Sequence, residues 1–281
     1  MSELGDYLRA CRARMSVEEA GIRTSGHRRV PGLRREELAM MAGVSVDYVV
    51  RLEQGRAKSA SPEILLALAR ALRLHADEQA YLLRCATEAD GPAPRSDTPG
   101  AAAPQVSTGT RTLLNSMTAV PALVLGRRMD VLAWNPLAAA LITDFGKVAP
   151  AHRNHVRLSF LDPHVRGLYA DWETVAKECV AYLRMDTGRY PEDRALADLV
   201  EELSLADQDF RHWWSSHRVR AQHCGRKDFR HPLAGELSLD YQVLDVRGAA
   251  DQSLLVYTAE PGSRTAQALT FLAAMRTPAV V

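Results

Sequence analysis

The stretch that most constrains this chain is residues 33–55, LRREELAMMAGVSVDYVVRLEQG, which predicts two short helices joined by a tight turn. Leu33, Leu38 and Met41 recur at helical spacing, and Ala39 and Ala42 are small enough to let a second helix cross close by. Gly43 follows as a stop, because a turn there needs a left-handed backbone that glycine adopts at little cost. Ser45 is then a natural N-cap for a second helix over 46–54, which Gly55 ends. On that helix Val49 and Leu52 point one way, while Val46, Asp47, Val50 and Arg51 point another. One face packs and the other is free to read something.

The run of LA, then AGVS, then LE and G resembles the helix-turn-helix of the XRE (phage-repressor-like) family. The resemblance implies that the second helix enters the DNA major groove with its N-terminal residues at base edges. Ser45, Val46, Asp47, Val50 and Arg51 are then the base-contact candidates, and the fork of Arg51 matches the O6/N7 edge of guanine. Arg34, Arg35, Arg56 and Lys58 are candidates for phosphates, as are Arg28 and Arg29 of the preceding segment, whereas Tyr48 suits either role. The bland alternative is a helical hairpin within a larger helical domain, with its arginines merely solvated.

Net charge of +1 says little, but its distribution is uneven. Between residues 9 and 35 there are eight arginines against Glu18 and Glu19, a local excess of six. Such a patch on a near-neutral chain is the footprint of a nucleic-acid surface. A hydrophobic content of 47% is enough for a core. Cys11, Cys85, Cys179 and Cys224 are scattered without a CxxC pair, which fits a reduced, cytoplasmic setting. The first residues, MSELGDYLRACRAR, lack the apolar core of a signal peptide, and no apolar run approaches the ~18 residues that span a membrane.

Taken in order, Leu4, Leu8 and Cys11 predict a first helix. Residues 21–32, GIRTSGHRRVPG, read as a basic arm that either crosses a phosphate backbone or is a solvated loop. Ser61-Pro62-Glu63 starts a further helix, and residues 76–86 form another, giving an all-α bundle of about five helices over 1–90. Residues 91–106 are a linker, rich in proline, glycine and alanine. Over 107–276 strands enter. Residues 121–135 read as a hairpin, and alternating Leu237, Leu239, Tyr241 and Val243 predict a strand paired with a second over 254–259. Between them lie helical stripes through Trp172–Cys179–Tyr182, Leu196–Leu203 and Phe210–His217, and a final helix covers 266–275. The order predicts an α+β domain with an antiparallel sheet.

VLAWNP (131–136), the Phe160 region, FRHWWSSH (210–217) and HPLAGELSLDYQVL (231–244) resemble the ligand-binding domain of MmyB-like regulators, and the basic motif region fits the same family. The resemblance implies a PAS-like sensor domain with an apolar cavity for a small ligand such as a long-chain fatty acid. Trp134, Phe160, Trp172, Cys179, Tyr182, Trp213, Trp214, His217 and Tyr241 are the candidate lining residues. Each aromatic taken singly is as well explained as core, but the adjacent Trp213 and Trp214 cannot both point at one spot.

His212, His217, His223, Cys224 and His231 invite a zinc reading, yet without a paired ligand spacing, so no metal and no cofactor is expected. No GxSxG, HExxH, P-loop or GxGxxG occurs, and no enzyme is expected. The expectation is a homodimeric, sequence-specific binder of a palindromic double-stranded operator, modulated by a small apolar ligand. The alternative is a constitutive DNA-binding protein whose second domain only dimerises or recruits a protein partner.

Overall fold

A computed structural model describes residues 2–22, 32–57, 60–87, 105–219, 223–249 and 251–276. The chain divides into two compact units. The first holds Met1–Ser96 with two later segments, Arg184–Asp193 and His212–Ala221; the second holds Asp97–Leu183, Arg194–Arg211 and Gln222–Val281. The expected linker falls almost wholly outside the described residues, as does most of the basic arm.

The first unit opens with α1 (Glu3–Arg14), α2 (Arg35–Ala42), α3 (Val46–Glu53), α4 (Pro62–Ala71) and α5 (Ala76–Thr87). Its helix ends are set by the residues that the sequence nominates. Gly43 turns the chain at φ 68°, Ser45 accepts the Tyr48 N–H at 3.1 Å, and Ser61 caps α4 with Pro62 in its first turn. The core is Tyr7, Leu8, Leu33, Leu38, Val49, Leu52, Leu65, Leu68, Tyr81 and Leu82, all nearly or fully buried. Val219 and Met185, from the two later segments, join the same core. The backbone of Gly188 runs so close to Tyr81 that a Cβ there would stand 2.3 Å from its ring.

The second unit begins with α6 (Thr108–Ser116) and the hairpin β1 (Ala122–Leu125) and β2 (Val131–Trp134), followed by α7 (Pro136–Leu141). Asn135 joins hairpin to helix. Buried, it caps α7 through Ala138 N–H at 2.8 Å and donates to the carbonyls of Met117 and Val120, both at 2.7 Å. Short helices α8 (His155–Leu161) and α9 (Pro163–Leu168) precede α10 (Trp172–Arg189), α11 (Arg194–Ala206) and α12 (Gln208–Ser215). The chain closes with β3 (Cys224–His231), β4 (Gly235–Asp245), β5 (Ser253–Thr258) and α13 (Arg264–Arg276). The five strands form one antiparallel sheet in the order β2-β1-β5-β4-β3.

One sheet face is covered by α6, where Val106 and Leu114 pack on Ala122, Val124, Ala133 and Leu254. The opposite face alternates with it at period two and carries Lys227, Phe229, Leu237, Leu239, Tyr241 and Tyr257, all buried. The helix α10 belongs to both units: its residues through Leu183 lie in the second, and Arg184 onward in the first.

Candidate DNA-binding face and ligand-responsive interior

In the first unit the two faces of α3 separate as the sequence predicts. Val49 and Leu52 are buried, whereas Val46, Asp47 and Arg51 are exposed and Val50 is half-buried. Arg51 is held by Asp47 one turn earlier at 3.2 Å, and its guanidinium lies 5.7 Å from the centre of the half-buried Tyr48 ring. Arg34 and Arg56 are exposed, and the Arg34 backbone N–H donates to the Glu37 carboxylate at 2.6 Å, which satisfies the N–H just before α2. Lys58, Arg28 and Arg29 lie outside the described residues.

Arg35 is not a free cation. Its Nε donates to Glu53 Oε2 at 2.7 Å, and Glu53 is 1% exposed. The same carboxylate takes Arg12 Nε at 2.6 Å and Nη2 at 3.3 Å, while Arg12 Nη1 donates to the Leu33 carbonyl at 2.7 Å. Burial pushes the Glu53 pKa up, but the hydrogen bonds and charges of Arg12 and Arg35 outweigh it and hold the carboxyl below the usual range. Glu53 thus ties α1, α2 and α3 together and fixes the root of the Arg35 side chain, which stays 45% exposed. In the sequence Glu53 stands out only as part of the LE pattern, because its burial and its partners Arg12 and Arg35 come from the packing of three helices.

The candidate lining residues do not gather in one place. Trp213, Trp214 and His217 fall in the first unit, where Arg184 stacks on Trp214 at 3.7 Å and donates to its carbonyl at 2.6 Å. Arg184 Nη1 also meets Glu3 at 3.3 Å, and Glu3 accepts the Tyr81 hydroxyl at 2.6 Å. His217 sits at φ 50° with its buried Nδ1 unpaired. In the second unit Phe160 lies edge-on to Trp172 and Phe210, and Arg166 covers the Trp172 ring at 3.5 Å. Trp172 donates to the Ser159 carbonyl at 2.8 Å, so this group reads as packing between α8, α10 and α12. Trp134, half-buried, leans on Phe145 with Arg153 over its ring, and Tyr182 is half-buried on α10.

Cys179 and Tyr241 belong to a buried polar group that the sequence did not reveal as a whole. Lys227, inward on β3, places Nζ 3.4 Å from Glu178 and 4.8 Å and 5.9 Å from the ring centres of Tyr241 and Tyr169. The Tyr169 hydroxyl is 3.5 Å from His155 Nε2. His155 Nδ1 is buried with no hydrogen-bond partner, whereas the buried Tyr257 hydroxyl interacts with that of Tyr169. Burial, reinforced by the Lys227 charge, pushes the His155 pKa down to about 3, and burial pushes the Cys179 thiol up to about 11. Burial likewise drives the Tyr169 and Tyr257 phenols well above their ordinary range. At neutral pH these four groups are therefore uncharged.

Elsewhere in the second unit a cleft of about 310 Å³ is lined by Ala139, Ala140, Ile142, Pro232, Leu233, Leu272 and Met275 together with Thr143, Asp144, His164 and His231. Each histidine is hydrogen-bonded, His164 Nε2 to the Ile142 carbonyl at 3.1 Å and His231 Nε2 to that of Ala140 at 3.0 Å. The inward positions of β3 run Lys227, Phe229, His231, and of these only His231 lines the cleft. Among the described residues no three His, Cys, Asp or Glu side chains gather to hold a metal ion, and no helix is long and apolar enough to cross a membrane.

Comparison with known proteins agrees with this division of labour. The family model of a helix-turn-helix domain matches residues 3–82, and that of the MmyB-like transcription regulator ligand binding domain matches residues 106–272. No curated protein is matched by the chain. A DNA-reading helix pair followed by this second domain makes a ligand-regulated transcription regulator, and the chain belongs to the MmyB-like transcription regulators.

Proposed function

We propose that the protein binds a palindromic operator as a homodimer and that a small, largely apolar ligand in the second domain changes its operator affinity. The observation that carries the DNA half is the exposed Val46, Asp47 and Arg51 face of α3, on a helix locked from behind by Val49, Leu52 and Glu53. Ser45, Val46, Asp47, Val50 and Arg51 meet base edges in this reading. Arg34, Arg35, Tyr48, Arg56 and, by their place in the sequence, Lys58, Arg28 and Arg29 meet phosphates. Two helix pairs are needed because one reads only a short half-site; the half-sites then lie about 34 Å apart.

The ligand half rests on the family and on the cleft. A long-chain fatty acid is the class that the resemblance implies. A ligand acts only through its differential affinity for the two operator-binding arrangements.

Selection of binding sites from random duplexes tests the DNA half. The reading expects an inverted repeat with a one-turn spacing, enriched by the wild type and lost in its base pattern by Arg51→Ala. Enrichment of an unrepeated site by a monomer would refute the dimer.

A further inference from the structure

We infer that Asp47 is a positioning residue: it does not read a base itself but holds the Arg51 guanidinium in the orientation that selects guanine. The inference rests on the proposed DNA-binding role and narrows the part that Asp47 plays in it.

Asp47 stands in the first turn of α3, away from the buried Val49 and Leu52, and its side chain is 78% exposed. An acid is out of keeping with a face that approaches phosphates, since a carboxylate there repels every duplex alike. Helix stability gives it little reason to be there. An acid in a first turn suits the helix dipole, yet α3 already has its cap in Ser45, which takes the Tyr48 N–H at 3.1 Å. Val49, Leu52 and Glu53 anchor the helix from behind, and an exposed ion pair one turn apart adds little more.

What Asp47 does meet is Arg51. Its Oδ2 lies 3.2 Å from Arg51 Nε, at the root of the guanidinium, which leaves the terminal Nη1 and Nη2 to form the fork that meets O6 and N7 of guanine. The Tyr48 ring, 5.7 Å from the guanidinium carbon, borders the same group. The Arg51 side chain is 52% exposed. Without these neighbours it would sample many rotamers and reach a phosphate as readily as a base edge. Ordering it beforehand lessens the entropy lost on contact, and pairing it with a carboxylate weakens its pull on phosphates without removing its donors. Asp47 thus lowers affinity for all duplexes and sharpens the choice of one base pair.

Site selection and salt-dependent anisotropy on the full chain test this, with the wild type, Asp47→Asn, Asp47→Glu, Arg51→Ala and the double variant Asp47→Asn, Arg51→Ala. Arg51→Ala marks the operator position that Arg51 reads. Asp47→Asn should lose about tenfold of the guanine preference at that same position, out of the roughly five- to hundredfold that a bidentate contact supplies. It should also bind unrelated duplexes more tightly, with a salt slope steeper by about one, as Arg51 turns to a phosphate. Asp47→Glu still reaches Arg51 across one turn and should restore most of the preference. In the Arg51→Ala background Asp47→Asn should leave the base pattern unchanged. A role in helix stability alone would lower the urea midpoint of the first unit and spare the base pattern. That result would overturn the inference, as would a cytosine preference at another position that Asp47→Asn abolishes even in the Arg51→Ala background; either leaves the DNA-binding role standing. Folded wild-type protein that enriches no sequence would overturn the DNA-binding role itself.

Discussion

Replacing Glu53 by glutamine keeps the shape of the side chain and removes the charge that Arg12 and Arg35 share. Arg35 is half-exposed and can rehydrate, so its loss is small. Arg12 cannot: its side chain is 11% exposed, and without Glu53 it keeps only the Leu33 carbonyl and one glutamine oxygen. Breaking a buried pair from one side costs about 3–5 kcal/mol, and the surviving hydrogen bonds bring the expectation to about 2–4 kcal/mol. Urea unfolding followed by far-ultraviolet circular dichroism reads this as a lower midpoint for the helical first unit. The double variant Arg12→Met, Glu53→Leu removes both charges, so it should recover most of the loss. The pH sign follows from the direction of the Glu53 shift. Its carboxyl is held below the usual 4.5, so its stabilisation is present above that value and is lost as pH falls through the native pKa. The glutamine variant should have a flatter acid limb. A single variant within about 1 kcal/mol of wild type, or a double variant worse than either single one, would refute the argument that this ion group is buried and mutually dependent.

Arg51→Ala should relax base preference at one operator position by about 1–3 kcal/mol, whereas Arg35→Ala should weaken all sequences alike and lower the salt slope by about one; selection and salt titrations distinguish them. Gly188→Ala forces a methyl against the Tyr81 ring, and overpacking of this kind should cost about 1–3 kcal/mol in urea unfolding of the first unit. His155 takes no proton in the native state until about pH 3, while the unfolded chain takes one near 6.5. The second unit should therefore lose on the order of 1 kcal/mol per pH unit between those values, a slope that His155→Leu removes in acid unfolding curves.

The DNA-reading helix pair was legible in the sequence because each of its ends is written locally. Gly43, Ser45 and Ser61-Pro62 act through backbone geometry within a turn or two, and the Val49 and Leu52 stripe needs only helical periodicity. The hairpin before Asn135 and the β4 and β5 pair were legible for the same reason, through alternation and a proline-marked helix start. Strand β3 was not. Its inward residues are Lys227, Phe229 and His231, so its alternation carries a charge where an apolar residue is expected, and Glu178 on α10 with the Tyr169 and Tyr241 rings makes that tolerable. The helices α8 and α9 are too short to show a period. Nor did spacing reveal that Trp213, Trp214 and His217 fall in the first unit, with Arg184 stacked on Trp214, because that grouping depends on where α10 ends in space. The polar interior was illegible as a group for the same reason: His155, Tyr169, Cys179, Lys227 and Tyr257 come from five separate elements or their ends.

The central claim is that occupancy of the second domain alters operator affinity. The most direct test is a fluorescence anisotropy titration of the selected operator with full-length protein, freed of bound lipid, at fixed salt, with and without saturating decanoate. The account predicts a shift in Kd of about five- to a hundredfold, the usual range of coupling between sites. An operator Kd unchanged by a compound that calorimetry shows to be bound would contradict it.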